Sequence, residues 1–169
     1  MFELAENLCP PVAEPDTMAR IVKVESSGNP FAIGVVAGRL QRQPRSLEEA
    51  VLTADSLERA GYNYSVGLSQ VNRVHFKRLG WSGDIAKGFD ACRNLHAGAD
   101  VYARCKQGAE RKLRAADATS VLRAALSCYY SGDFVTGERS GYVDKVLATS
   151  TATPGATPAP LRSFRSMFD

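Results

Sequence analysis

The sequence contains no uninterrupted apolar run approaching the ~20 residues a bilayer-spanning helix requires, so no membrane span is expected. Histidine is scarce, with only His75 and His96, far apart in sequence. The four cysteines include no C-x-x-C pair. A structural zinc framework takes its ligands in close pairs, so no metal is expected, and no cofactor motif is present either. No repeat of ~20 to 50 residues is visible, which sets solenoids aside. An excess of one charge is also missing. The chain has 21 Lys+Arg against 18 Asp+Glu, a formal net charge of +3, which tolerates an anionic polymer without demanding one. The opening Met1 to Cys9 has neither the basic n-region nor the apolar h-region of a signal peptide, so none is expected in this chain.

What is there fits one domain. At 169 residues and 44% hydrophobic composition the chain is large enough to bury a core of its own. Its expected organisation is an N-terminal segment over 1–14 tied down through Cys9, a folded domain over 15–149, and a tail over 150–169. Ser150 to Pro160 is rich in Pro, Thr and Ala, with too few large apolar residues to offset ordering entropy, and reads as disordered. Leu161 to Asp169 carries Phe164, Met167 and Phe168, a docking peptide or a frayed end.

The periodicity is helical. Asp16 or Thr17 is placed to cap a helix whose stripe is Met18, Ile21 and Val22. Ser46-Leu-Glu-Glu49 has the spacing of a capping box, followed by Ala50, Val51, Ala54 and Leu57 and closed by Gly61. Leu68 to Leu79 reads as a shorter helix ended by Gly80. Asp90 caps one running toward Gly108, Thr119 or Ser120 starts one over Val121 to Tyr130, and Gly141 to Ala148 closes the series. Phe31 to Val36, with Gly38 and Leu40, predicts a short strand or hairpin and little other sheet. The fold class is therefore mainly α with a small β-hairpin element.

Cys9, Cys92, Cys105 and Cys128 are even in number and suggest two disulfides in an oxidising compartment. Three connectivities are possible and the sequence alone does not choose. Cys105 and Cys128 fall on successive helices that a short connection makes antiparallel, which favours that pair and leaves Cys9 for Cys92.

Glu25 occupies the next position of the first apolar stripe, beside Ser26, Ser27 and Gly28. Desolvation and the negative pole of a helix C-terminus both disfavour its charged form, which is what a general acid at neutral pH needs.

The pattern around Glu25 resembles the lytic transglycosylases of type IV secretion systems, in the goose-type lysozyme superfamily. Thr17-Met-Ala-Arg-Ile-Val-Lys-Val-Glu-Ser-Ser-Gly-Asn-Pro-Phe-Ala-Ile-Gly34 is similar to that family's catalytic Glu-Ser segment and following strand. Tyr64-Ser-Val-Gly-Leu-Ser-Gln-Val-Asn72 resembles its Gly-Leu-Met-Gln-Ile-Asn element, followed by Phe89-Asp-Ala-Cys-Arg-Asn-Leu-His-Ala-Gly98. Ala125-Leu-Ser-Cys-Tyr-Tyr-Ser-Gly-Asp-Phe134 resembles the segment usually reading Ala-Tyr-Asn-x-Gly, and Gly141-Tyr-Val-Asp-Lys-Val146 the closing helix. These five ordered blocks cover most of residues 9 to 148.

The resemblance implies a lysozyme-like single domain acting on peptidoglycan glycan strands. It implies cleavage between N-acetylmuramic acid and N-acetylglucosamine, with a 1,6-anhydromuramic end as product. Glu25 carries over as the sole catalytic acid and base, and Ser26, Gly67, Leu68, Ser69, Gln70, Tyr129, Tyr130 and Tyr142 as substrate-binding positions. Tyr129 and Tyr142 are expected to offer phenols to the sugar and the intermediate. Tyr130 departs from the usual Asn, removing an amide, and Ser69 replaces the usual Met. A periplasmic location, a monomer, a role in opening the wall for secretion-system assembly, and a tail contacting other components are implied as well. The competing reading is a catalytically weak peptidoglycan-binding assembly module, for which Tyr130 is the best argument. Nucleic acid is set aside, because Arg104, Lys106, Arg111, Lys112, Arg114 and Arg123 flank acidic residues with little aromatic interleaving.

Overall fold

The computed structural model describes residues 9–151, so most of the expected tail and the first eight residues lie outside the described residues. The first helix, α1 (Pro15–Ser26), begins earlier than the expected cap at Asp16 or Thr17. Proline's fixed φ suits the first turn, and Glu14 precedes it in a left-handed conformation without a side-chain cap. Met18, Ile21 and Val22 are buried, as the stripe requires.

Helix α2 (Leu47–Arg59) starts at Ser46, whose hydroxyl accepts from the Glu49 amide at 3.2 Å. Its buried contacts are the small Ala50 and Ala54, so it lies close to its neighbours. Three short strands form an antiparallel sheet in the order β1-β2-β3: β1 (Ile33–Val35), β2 (Tyr64–Val66) and β3 (Val71–Asn72). Ile33 pairs with Val66 and Val35 with Tyr64, while Val66 also pairs with Val71. Of the short strand or hairpin expected after Phe31 the strand is present as β1, and its partner is β2, beyond α2 in the chain, rather than the stretch around Gly38 and Leu40.

The expected helix over Leu68 to Leu79 is also corrected. Gly67 and Gln70 both take positive φ, at 76° and 47°, which no continuous right-handed helix carries. The chain instead makes a tight turn into β3, then a 3₁₀ turn over Arg73–His75 that Asn72 caps by accepting from the Val74 amide at 3.1 Å. Only the four residues of α3 (Phe76–Leu79) are α-helical.

A second 3₁₀ segment, Ile85–Phe89, leads into the long α4 (Ala91–Lys112), capped by Asp90 accepting from the Arg93 amide at 2.8 Å. This helix passes the expected stop at Gly108, where a Cβ would lie 3.2 Å from the Phe134 ring; the glycine serves close packing there. Helix α5 (Ala118–Ser131) is capped by Asp117, ahead of the expected start at Thr119 or Ser120, and stops at Gly132 in the left-handed conformation. Two shorter helices follow, α6 (Thr136–Arg139) and α7 (Tyr142–Ala148).

The core has two parts. One joins α1, α4, α5 and α7 through Met18, Ile21, Val22, Leu95, Leu126, Val143 and Val146. The other packs the sheet against α2 and the short helices through Ile33, Tyr64, Val66, Phe76, Trp81 and Phe89. Disulfides link Cys9 to Cys92 and Cys105 to Cys128. The first ties the segment before α1 to the start of α4, and the second staples α4 to α5. For separations of 83 and 23 residues the chain-entropy model gives about 5 and 3 kcal/mol of stabilisation.

Candidate active site

Glu25 lies in the last turn of α1, where the apolar stripe of that helix meets a cleft of about 860 Å³. Burial pushes its carboxyl from 4.5 up to about 7, against the opposing pull of a Tyr142 hydrogen bond and the Lys145 charge. Its surface is only partly covered, because the carboxyl meets the cleft while the protein surrounds the rest. Tyr142, the first residue of α7, donates its phenol to Glu25 Oε1 at 2.6 Å. Burial, and then the neighbouring Glu25 charge, holds the Tyr142 phenol far above the ordinary tyrosine range, so it remains a donor.

The turn over residues 67–70 is built from three sides. Ser26 donates to the Leu68 carbonyl at 2.7 Å and accepts from the Gly28 amide at 3.2 Å, fastening the end of α1 to the turn. Tyr129 donates to the Ser69 carbonyl at 2.6 Å. Asn94, on α4 and fully buried at 0% exposure, accepts from the Ser69 amide at 2.7 Å and donates to the carbonyls of Val66 and Gly88, both at 2.8 Å. A Cβ at Gly67 would collide with the Asn94 amide and lie 2.6 Å from the Gly88 carbonyl, so glycine is required there on two grounds, space and φ. Gln70 ends the turn with its Nε2 donating to the carbonyls of Gly67 at 3.0 Å and Ala32 at 3.1 Å.

Of the nine residues singled out in the sequence, Glu25, Gln70, Tyr129 and Tyr130 line the cleft. The others stand behind them. Leu68 and Ser69 are buried, Leu68 in the core and Ser69 against Gly98, so their side chains pack beneath the turn. The Tyr129 phenol, on the cleft lining, gives its proton to the Ser69 carbonyl and keeps its oxygen lone pairs as acceptors. Tyr130 stacks on Tyr142 with ring centroids 4.6 Å apart and planes 22° apart, and remains 50% exposed. The aromatic ring thus sits over the residue that holds the acid.

Sequence reasoning missed Asn94 as the anchor of the turn. Its signal was an amide on the buried face of α4, in line with Gly98 and Cys105. It also missed the amides among the lining residues from the sheet, where Asn72 donates to Asn63 at 2.9 Å and to Ser65 at 3.2 Å. Among the described residues no group of three or more His, Cys, Asp or Glu side chains is placed to hold a metal ion.

Chemically, the arrangement offers a carboxyl that keeps its proton to about pH 7 and a phenol that hydrogen-bonds the carboxylate once the proton leaves. Among the described lining residues Glu25 is the only carboxyl.

The comparisons agree with this geometry. Residues 5–146 match the Transglycosylase SLT domain. Over 157 residues, 90% of the chain, the sequence is 46% identical to the type IV secretion system protein virB1 of Brucella suis, and it covers 65% of that protein. It is 32% identical over 154 residues to protein virB1 of Agrobacterium fabrum, covering 90% of the chain and 60% of the relative. The chain therefore spans somewhat under two thirds of the length of these relatives. No solved structure matches it significantly. With a mostly helical, lysozyme-like domain, a matched segment that runs from before α1 into α7, and a buried acid inside that segment, the chain belongs to the transglycosylase SLT domain family.

Proposed function

We propose that the protein is a peptidoglycan lytic transglycosylase that opens the cell wall locally for assembly of a type IV secretion system. The single observation that carries this reading is Glu25, a carboxyl protonated to about pH 7 in a cleft with no second carboxyl among its described lining residues. Hydrolytic glycosidases of the usual kind use two carboxyl groups, one as acid and one as nucleophile or base for water. A lone acid suits a reaction whose nucleophile belongs to the substrate.

In that reaction Glu25 gives its proton to the glycosidic oxygen as the bond from the muramic anomeric carbon breaks. The 2-acetamido carbonyl of the same sugar stabilises the cationic centre. The 6-hydroxyl then attacks the anomeric carbon and returns its proton to Glu25, so no water is consumed and the acid is regenerated. An attacking group already in place has an effective molarity of up to ~10⁵–10⁸ M, which lets it outrun water. Tyr142 stabilises the transient Glu25 carboxylate, and Gln70, held by two backbone carbonyls, presents a fixed amide edge. Tyr130 supplies an aromatic face where the family usually has an amide, suited to the apolar face of a sugar ring.

The names of the Brucella and Agrobacterium relatives support the secretion-system role, and two disulfides suit an oxidising periplasm. The competing assembly-module reading predicts binding without turnover. Mass spectrometry of sacculi incubated with the protein separates them: 1,6-anhydromuropeptides support the transglycosylase, reducing ends alone indicate hydrolysis, and undigested wall with bound protein indicates the module.

A further inference from the structure

The wall of the cleft formed by α4 and the turn after β3 is cationic. Arg104 and His75 line it, and Arg78 sits within electrostatic reach of both His75 and Asp100. Asp100 is shared by two guanidinium groups, Arg78 at 2.5 Å and Arg104 at 3.2 Å, so the cluster retains one positive charge in excess. Asp100 takes the Nε edge of Arg104, and the Arg104 side chain remains 60% exposed. Among the described residues its terminal nitrogens, with their fork of donors, take no hydrogen-bond acceptor, so they face the cleft able to bind one. His75 is held below the usual histidine range by burial and by the charges of Arg78 and Arg104, opposed by Asp100, so at neutral pH it adds a neutral imidazole. Val74, 71% exposed, lies next to His75 on the same lining and gives this wall an apolar contact.

The sugars of a peptide-substituted glycan carry no charge, so a guanidinium on a saccharide groove gains little from them. The stem peptides do carry free carboxylates. Resting on the reading of Glu25 above, we propose that Arg104, flanked by His75 and Arg78, forms a carboxylate-binding subsite for the stem peptide, making glycan with acidic peptides the preferred substrate. An arginine–carboxylate pair is charge-assisted and directional, and on a partly exposed wall it is screened by salt.

The test compares peptide-bearing glycan strands with the same strands after their stem carboxylates are converted to amides with carbodiimide and ammonia. Binding is measured in the Glu25→Gln background, where turnover does not interfere, and kcat/KM in the parent. The expected preference for untreated strands is about 5- to 10-fold at low salt, in line with one charge-assisted hydrogen-bonding pair. Arg104→Gln brings the ratio to within about 2-fold, Arg104→Lys keeps part of it, and ~0.5 M salt compresses it in the parent. Equal binding of both strands in the Glu25→Gln background, or a preference that survives adding Arg104→Gln, overturns the subsite. Equal cleavage of both strand types to anhydro ends overturns the subsite and leaves the transglycosylase standing. A binding preference without cleavage does the reverse.

Discussion

The phenol of Tyr142 meets Glu25 Oε1 at 2.6 Å across 117 residues of sequence, and this bond opposes burial in setting the acid's proton affinity. Because the bond favours the charged form, Tyr142→Phe raises the Glu25 pKa above its present value of about 7. The variant's kcat falls by about 10- to 100-fold, because the carboxylate formed after proton transfer loses a preorganised donor. The alkaline limb of its pH profile moves to higher pH. A profile unmoved by the substitution contradicts this role for Tyr142.

Glu25 sets the direction of the parent's pH dependence. Its carboxyl is the acid in the first step, so kcat/KM falls as pH rises through about 7. Initial rates on labelled sacculi between pH 5 and 9 check this, and a rate that keeps rising above pH 8 is the contrary result.

The same group links to stability. Its pKa is raised from 4.5 to about 7, so between those values the folded state holds a proton that the unfolded chain has lost, and stability declines as pH rises through that window. Glu25→Gln removes the charge. The variant therefore matches the parent below about pH 4 and is more stable above pH 7, by at most about 3 kcal/mol and less after solvent screening at the cleft. Thermal melts at pH 4 and pH 8 read this out, and an equal shift at both values contradicts it.

Asn94 makes three hydrogen bonds in a fully buried position. Asn94→Ala removes all three and costs about 3 kcal/mol or more. Activity falls with it, since the turn that carries Gln70 loses its anchor. Denaturant melts together with kcat/KM separate the two effects, and a stability change under ~1 kcal/mol would show the turn to be held by other contacts.

Tyr130 tests the departure from the family pattern. Tyr130→Phe keeps the stacked ring and changes KM less than about 3-fold, whereas Tyr130→Ala removes it and raises KM by about 10-fold, near the upper end of an aromatic stacking contribution. An unchanged KM in Tyr130→Ala removes the ring from substrate binding.

The elements that could be read from the sequence were those with a local cause. The α1 stripe ending in Glu25, the Ser46 cap of α2 and the Gly132 stop of α5 each depend on residues within a turn or two of one another. The turn over residues 67–70 was hidden because Gln70 adopts a left-handed conformation without being glycine. What holds it there comes from α1, α4 and α5, through Ser26, Asn94 and Tyr129. The partner of β1 was equally unreadable: β2 is three residues long and follows a complete helix. In the site, the need for a buried acid was legible at Glu25. The stacking of Tyr130 on Tyr142, and the hydrogen bond of the Tyr129 phenol to a backbone carbonyl, depend on distant contacts that no local pattern encodes.

The central claim, that one carboxyl drives an intramolecular transfer, is tested most directly by mass spectrometry of muropeptides released from purified sacculi by the parent and by Glu25→Gln. The account predicts 1,6-anhydromuropeptides from the parent and none from the variant, with circular dichroism unchanged between the two. Anhydro products from the purified variant, or products ending only in reducing sugars from the parent, contradict it.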